Sequence, residues 1–182
     1  LWLLMIATPG MYAHVHAGSL TYMSDTIQSS WLAVGTNHTI QFTIANAVLG
    51  GKIVVTPEIN AFKIPNSLTY KDIDFIVNGV HRRLNGVPGA PELLNGNMVY
   101  AIGVTIVSGT AGKITFALHN EDLINAGSTI VIRIGKNSDI EDAGDWHIRN
   151  PKEAGSYRIV IETQNAANQV VDSGTAMIAI VG

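Results

Sequence analysis

Hydrophobic and polar residues alternate one by one in short segments along most of the chain from Ser19 onward. Ile40, Phe42 and Ile44, for example, are separated by single polar residues. A period of two is typical of β-strands with one face toward a core, whereas an amphipathic helix repeats every three to four residues. We therefore predict about nine strands. They include residues 39–44, 52–56, 74–77, 98–107, 114–118, 130–134, 157–161 and 177–181.

The same alternation predicts which side chains face the core, because successive side chains of a strand point to opposite faces. The predicted inward set consists of β-branched and aromatic residues, which suit a pleated, half-buried surface. Its members are Ile40, Phe42, Ile44, Ile130, Ile132, Ile134, Tyr157, Ile159 and Ile161.

Turn signals separate the predicted strands. Asn78-Gly79 favours a tight hairpin because both residues tolerate positive φ, and Gly50-Gly51 and Pro57 bound the strand between them. We predict a long loop over 81–97 and one helical turn over 120–127. Many short strands divided by such turns are typical of an antiparallel β-sandwich or barrel.

The N-terminal segment is the most apolar part of the chain. Leu1 to Ala7 is an uninterrupted apolar run, Pro9-Gly10 breaks it, and residues 11–17 alternate in the manner of a strand. The run is shorter than the roughly 20 residues that a membrane-spanning helix needs, so we expect no stable transmembrane span.

Two interpretations of this segment remain open. It resembles the end of a secretory signal peptide cleaved after Ala17. Alternatively, it is an extended arm that adds a strand to another subunit, with small apolar side chains entering a groove there. We accordingly divide the chain into an arm or residual signal peptide, residues 1–18, and a β-sandwich domain, residues 19–182. The expected subunit interface consists of Leu1, Trp2, Leu3, Leu4, Met5, Ile6, Met11, Ala13, Val15 and Ala17.

The amino-acid composition excludes several classes of function. Only 14% of the residues are charged, and the net charge is −3, so there is no basic excess for binding nucleic acid. The chain contains no cysteine, which excludes disulfides, Cys-ligated zinc and a cysteine nucleophile. No phosphate-binding loop, dinucleotide fingerprint or nucleophile elbow is present in the sequence, so we predict neither an enzyme nor a cofactor.

The order of several short motifs resembles an immunoglobulin-like repeat of prokaryotic cell-surface and S-layer-associated proteins. The motifs lie at 37–44, 51–55, 64–68, 77–79, 126–132, 148–151, 154–157 and 172–174. This resemblance covers roughly residues 20–182 and implies a secreted immunoglobulin-like β-sandwich without catalytic residues. The chain departs from the family in having Thr56-Pro57 where Phe-Pro is usual, and in holding a single copy. A single copy with an apolar N-terminal arm is similar to subunits of donor-strand extracellular filaments.

Few residues in the sequence suggest a metal-binding or modification site. Asp139, Glu141, Asp142 and Asp145 are calcium candidates, but their spacing does not match an EF-hand, and we interpret them as a solvated acidic loop. Asn37-His38-Thr39 is an N-glycosylation acceptor sequence, which makes Asn37 a candidate glycan site.

The histidines and tryptophans have simpler interpretations. His14 and His16 would share one face of a strand, and we interpret them as solvent-facing rather than as metal ligands. Trp2, Trp31 and Trp146 are expected to anchor a core or an interface.

These observations predict a structural subunit of an extracellular filament or surface layer, whose partners are copies of itself. Polymerisation would proceed by insertion of the N-terminal donor strand into the neighbouring subunit. The alternative is a secreted cell-surface binding or adhesion module with a cleaved signal peptide. In both cases the expected location is extracellular.

Overall fold

The computed structural model describes residues 17–89, 91–94, 97–135 and 145–182, and this part of the chain is almost entirely β-structure. Its only helical element is a 3-10 turn at Tyr70–Asp72, which Thr69 caps through a capping box with Asp72. In chain order the strands are β1 (Gly18–Ser19), β2 (Thr21–Ile27), β3 (Gly35–Thr36), β4 (His38–Thr43), β5 (Val48–Leu49), β6 (Lys52–Pro57), β7 (Ile73–Val77), β8 (Val80–Arg82), β9 (Leu84–Asn85), β10 (Pro91–Leu94), β11 (Asn97–Tyr100), β12 (Ile102–Val107), β13 (Lys113–Ala117), β14 (Leu123–Ile124), β15 (Thr129–Ile134), β16 (Ile148–Arg149), β17 (Gly155–Gln164) and β18 (Val170–Ile180).

Two sheets form the body of the domain. A seven-stranded sheet has the order β1-β18-β17-β6-β13-β12-β9, and a five-stranded sheet has the order β2-β4-β15-β7-β8. The pairs β10-β11, β5-β14 and β3-β16 form small two-stranded sheets.

The strand order is that of an immunoglobulin domain. Strands β2, β4, β15 and β7 occupy the positions of strands A, B, E and D, and β18, β17 and β6 occupy those of G, F and C. The β12-β13 hairpin is inserted between strands D and E of this pattern, and β13 pairs with β6. The predicted immunoglobulin-like antiparallel β-sandwich is therefore confirmed.

The core lies between the two sheets. Phe75 of β7 and Phe116 of β13 meet across it with ring centroids 5.0 Å apart. Eight of the nine residues predicted to face the core are fully buried. The ninth, Tyr157, is half-buried and packs edge-to-face on buried Phe62. The alternation therefore identified the correct face of each of these strands.

Two local predictions were wrong, and a third was correct except at one residue. The predicted helical turn over 120–127 contains strand β14, because Leu123 pairs with Leu49 and Ile124 is buried. The predicted loop over 81–97 contains strands, because Arg82 continues the hairpin that begins at β7. The predicted strand 98–107 is interrupted at Ala101, whose carbonyl accepts from the Gly89 amide at 3.0 Å. In each case pairing with distant residues decided the backbone conformation.

The Asn78-Gly79 hairpin was predicted correctly. Val77 pairs with Val80, and both turn residues have positive φ, 50° for Asn78 and 80° for Gly79. Positive φ at both central residues is the geometry of a two-residue type I′ turn, whose twist matches that of the flanking strands.

We expect Gly79→Ala to lower the free energy of unfolding by about 1 kcal/mol, because alanine at positive φ is strained. A steric clash is not the reason, since a Cβ at Gly79 meets nothing within 4 Å. Gly86 is the matched control, because a Cβ there is equally free and its φ is not positive. Urea unfolding followed by circular dichroism should show a loss for Gly79→Ala and almost none for Gly86→Ala. Equal losses would contradict the turn assignment.

Candidate functional site

The chain joins the sandwich at the edge of its seven-stranded sheet. Gly18 and Ser19 pair in parallel with Asp172 and Ser173, and the Leu20 amide donates to the Ser173 carbonyl at 3.0 Å. Gly18 has no room for a side chain, because a Cβ would collide with the carboxylate of Asp172 and the amide of Asn46. Glycine is therefore required where the N-terminal segment meets β18.

A buried carboxylate fixes this junction. Asp172 is fully buried and accepts hydrogen bonds from the backbone amides of Ala45 (3.2 Å) and Asn46 (3.0 Å). It also accepts from Asn46 Nδ2 at 2.7 Å and from the Thr163 hydroxyl at 3.3 Å. Bonds to an ionised acceptor are stronger than neutral ones, so Asp172 ties β18 to the loop after β4 and to β17.

Beyond this junction β18 runs beside β2, and Leu20 and Met23 lie against Gly174. Thr175, Met177 and Ala179 have exposed side chains. The backbone groups of these three residues that point away from β17 have no partner within the described part of the chain.

The predicted subunit interface lies almost wholly outside the described residues. Leu1–Ile6, Met11, Ala13 and Val15 fall there, as do the two histidines His14 and His16, and only Ala17 is described. Ala17 is exposed and stands immediately before β1. The structure thus defines where the N-terminal segment joins the domain.

Of the four acidic residues between positions 139 and 145, the structure describes only the last, Asp145. Asp139, Glu141 and Asp142 lie outside the described residues, whereas Asp145 and Trp146 donate their backbone amides to Asp72 Oδ1 at 2.9 and 3.1 Å. Asp72 is 3% exposed. Across the described ranges no group of three His, Asp or Glu side chains is arranged to hold a metal ion. Calcium binding by the acidic segment stays a prediction.

The glycosylation candidate Asn37 lies in the turn between β3 and β4. Its side chain is half-buried against Gly135, and its carbonyl accepts from the Gln28 amide at 3.1 Å. Glycan attachment at Asn37 stays a prediction.

The structure pairs two histidines and one arginine with carboxylates that lie elsewhere in the sequence. His38 Nδ1 lies 2.7 Å from Asp25 Oδ2 with both side chains fully buried. His81 Nδ1 lies 2.8 Å from Asp74, and Arg82 Nη2 lies 2.7 Å from Asp122. The partners are 7 to 40 positions apart along the chain, so no local motif could have indicated them.

A second cluster joins the short strands at one end of the sandwich. Tyr100 stacks on His119 with ring centroids 4.5 Å apart, and its hydroxyl donates to Glu121 at 2.8 Å. The hydrogen bond to the Glu121 carboxylate raises the pKa of Tyr100. Arg82 Nη2 also donates to the Tyr100 carbonyl at 3.0 Å. These contacts fix β8, β11 and the turn before β14 to one another.

At the opposite end a cleft of about 820 Å³ opens between the β6–β7 connection, the β12–β13 turn and the segment before β17. Lys63, Arg149 and Lys152 line it together with two carboxylates, Glu58 and Glu153, and with Tyr157. The backbones of Lys63 and Arg149 pair directly, which places two cationic side chains side by side. Within the described residues no carboxylate lies at ion-pair distance from either.

The described tryptophans are surface residues. Trp31 is 69% exposed and Trp146 is 50% exposed, so both are available for contacts outside the domain, while Trp2 lies outside the described residues. Ser173, in the Asp172-Ser173-Gly174 motif, is an exposed residue of strand β18 rather than of a strand-to-helix turn. No helix among the described residues is long and apolar enough to cross a membrane.

Comparison with known proteins assigns no family. No protein-family model matches the sequence, and no curated protein matches it. Solved structures that resemble it include BslA, a bacterial hydrophobin (14% identity, TM-score 0.42, covering 90% of this chain and 97% of that one). Another is ACE19, the collagen-binding subdomain of the Enterococcus faecalis surface protein ACE (6% identity, TM-score 0.39, covering 87% of this chain and 96% of that one). A family 123 glycoside hydrolase from Clostridium perfringens matches at 10% identity and a TM-score of 0.27, over 88% of this chain and 27% of that one. All three TM-scores are below 0.5, so the fold assignment rests on the strand order alone.

Proposed function

We propose that this protein is a structural subunit of an extracellular filament, a pilus-like fibre, or of a surface layer, and that it polymerises by donating its N-terminal segment to the next copy. The observation that carries the proposal is the junction at β1. The chain enters the sandwich as a parallel strand on the edge of β18. Strands A to G of the immunoglobulin pattern are all supplied by residues 21–180.

The complete sandwich changes the form that strand donation takes. Because β18 already fills the G position, a donated strand adds to an edge rather than replacing a missing strand. The apolar run Leu1 to Ala7 favours such a role, since an apolar stretch of this size on a soluble monomer marks an interaction site.

The proposed non-catalytic role has to account for the buried Asp25–His38 pair. The buried Asp25–His38 pair has the orientation of a base and its carboxylate, but His38 Nε2 is buried and has no hydrogen-bond partner. A base that activates a nucleophile must be within hydrogen-bond reach of it, so this pair is better explained as part of the core.

The central test compares the full chain with a variant lacking residues 1–17. We expect the full chain to form filaments or sheets in negative-stain micrographs. The shortened chain should remain a soluble monomer with the same far-ultraviolet circular dichroism, because its sandwich strands begin at Gly18. Sedimentation at matched concentration would quantify the difference.

Two results would contradict this function. One is native-like filaments from the variant lacking residues 1–17. The other is a mature protein whose measured mass shows that it begins at Gly18, because residues 1–17 would then be a signal peptide that is removed.

A cell-surface binding module is the second candidate, and the cleft favours it. Its three cations, Lys63, Arg149 and Lys152, outnumber its two carboxylates, Glu58 and Glu153. Beside Tyr157 they would suit an acidic polysaccharide, with the cations facing carboxylates and the ring facing a sugar. Binding of heparin as a probe should fall at least about tenfold in an Arg149→Ala, Lys152→Ala variant, which is the effect of losing roughly 1.4 kcal/mol. Lys113→Ala, on an exposed strand position outside the cleft lining, is the control. No binding, or equal binding by all three proteins, would exclude this candidate.

A further inference from the structure

The tripeptide Asn-Gly-Val occurs at 78–80 and again at 85–87, and the fold holds its two asparagines differently. An asparagine followed by glycine is open to attack on its side-chain amide by the next backbone nitrogen, because glycine has no Cβ to shield that nitrogen. A third Asn-Gly pair, at 95–96, lies outside the described residues.

The Asn78 side chain is bound to a distant part of the chain. Its Oδ1 accepts from the Thr129 amide at 2.9 Å, and its Nδ2 donates to the Ser128 hydroxyl at 3.3 Å. These partners are 51 and 50 positions away, and they direct the side chain toward β15. Cyclisation onto the Gly79 nitrogen would first have to break both hydrogen bonds, so the fold protects Asn78.

The Asn85 side chain instead turns back over its own backbone. Its Oδ1 accepts from the Val87 amide at 2.6 Å, which closes an Asx turn around Gly86. This turn folds Asn85 Cγ over the backbone nitrogen of Gly86. Gly86 is exposed, and a Cβ built on it would meet nothing within 4 Å, so water reaches both groups.

We propose that Asn85 is a self-modification site, at which the Gly86 nitrogen attacks Asn85 Cγ and closes a succinimide ring. The N–Cγ bond forms and the Cγ–Nδ2 bond breaks, and solvent relays the proton lost by the Gly86 nitrogen to the departing ammonia. Negative charge develops on Oδ1 in the tetrahedral intermediate, and the Val87 amide already donates to that atom. This reaction is independent of the proposed function.

Water then opens the ring at either of its two carbonyl carbons. Attack at the side-chain carbonyl leaves an aspartate at position 85. Attack at the backbone carbonyl leaves an isoaspartate, in which the main chain runs through the side-chain methylene. In both cases ammonia is released and one water is consumed, so the chain gains about one dalton and one negative charge.

The modification would act on the edge of the seven-stranded sheet. Asn85 pairs in parallel with Gly103 of β12, and a Cβ at Gly103 would lie 2.5 Å from Pro88. Just beyond, the Gly89 amide donates to the Ala101 carbonyl at 3.0 Å. An isoaspartate lengthens the main chain immediately before this closely packed segment, so we expect it to loosen the segment from β12.

Peptide mapping of the folded full chain during storage in mildly alkaline buffer tests the proposal. Mass spectrometry follows the added mass, and fragment spectra assign it to a residue, which separates Asn85 from Asn95. We expect Asn85 to convert at least about tenfold faster than Asn78. The same chain unfolded in urea is the matched control, because the two identical tripeptides should then react at nearly equal rates.

Two variants test the chemistry at Asn85. Val87→Pro removes the donor amide, whereas Val87→Ala keeps it; Val87 is 67% exposed, so neither change removes core packing. We expect Val87→Pro to slow conversion at Asn85 at least about tenfold and Val87→Ala to leave it unchanged. Gly86→Ala should also slow it, because the added Cβ shields the attacking nitrogen. Circular dichroism checks that each variant is folded.

Three results would overturn the inference. The first is conversion at Asn78 as fast as at Asn85 in the folded chain. The second is a rate difference between the two sites that persists in urea, because the sequence rather than the fold would then cause it. The third is an unchanged rate at Asn85 in a folded Val87→Pro or Gly86→Ala variant.

Discussion

Replacing Phe116 with alanine is expected to lower the free energy of unfolding by about 3–5 kcal/mol, the range for removing a fully buried aromatic ring. Phe116 is fully buried in β13 and contacts Phe75 across the sandwich. The substitution removes apolar area and leaves a cavity between the two sheets.

Urea unfolding followed by circular dichroism or tryptophan fluorescence measures this loss. The neighbouring Thr115→Ala is the control, because Thr115 is half-buried on the outer face of the same strand and its loss should be small. A loss of unfolding free energy below about 1 kcal/mol for Phe116→Ala would mean that the buried faces of the two sheets are wrongly assigned.

Asp172→Ala is expected to cost about 2–4 kcal/mol, because it removes a buried acceptor of several hydrogen bonds and leaves their donors unpaired. The affected donors are the amides of Ala45 and Asn46, the side chain of Asn46 and the hydroxyl of Thr163. Hydrogen exchange at the Ala45 and Asn46 amides should accelerate together with this loss.

Ser173→Ala is the control for Asp172, since Ser173 is exposed on the next position of the same strand. Thermal unfolding and amide exchange should both be nearly unchanged in this variant. If Asp172→Ala were equally neutral, the carboxylate would not be what fixes the junction between β18 and the loop after β4.

Local signals in the sequence were sufficient for the sandwich but not for the site. The alternation at Ile40, Phe42 and Ile44 predicts a strand and its buried face because both depend only on neighbours along the chain. The Asn78-Gly79 turn is equally local. These features predicted the sheets and much of the core.

The junction could not be predicted, because it depends on residues that are far apart. Asp172 binds residues 126 and 127 positions away, and Gly18 is constrained by a carboxylate at the other end of the chain. The Asp-Ser-Gly sequence at 172–174 gives no sign of this role.

The most direct test of the central claim is a helical reconstruction by electron cryo-microscopy of filaments formed by the full chain. The account predicts that the N-terminal segment of each copy is held by the neighbouring copy and leads into the Gly18–Ser19 strand of its own domain. Filaments in which the N-terminal segment lies only against its own domain would contradict it.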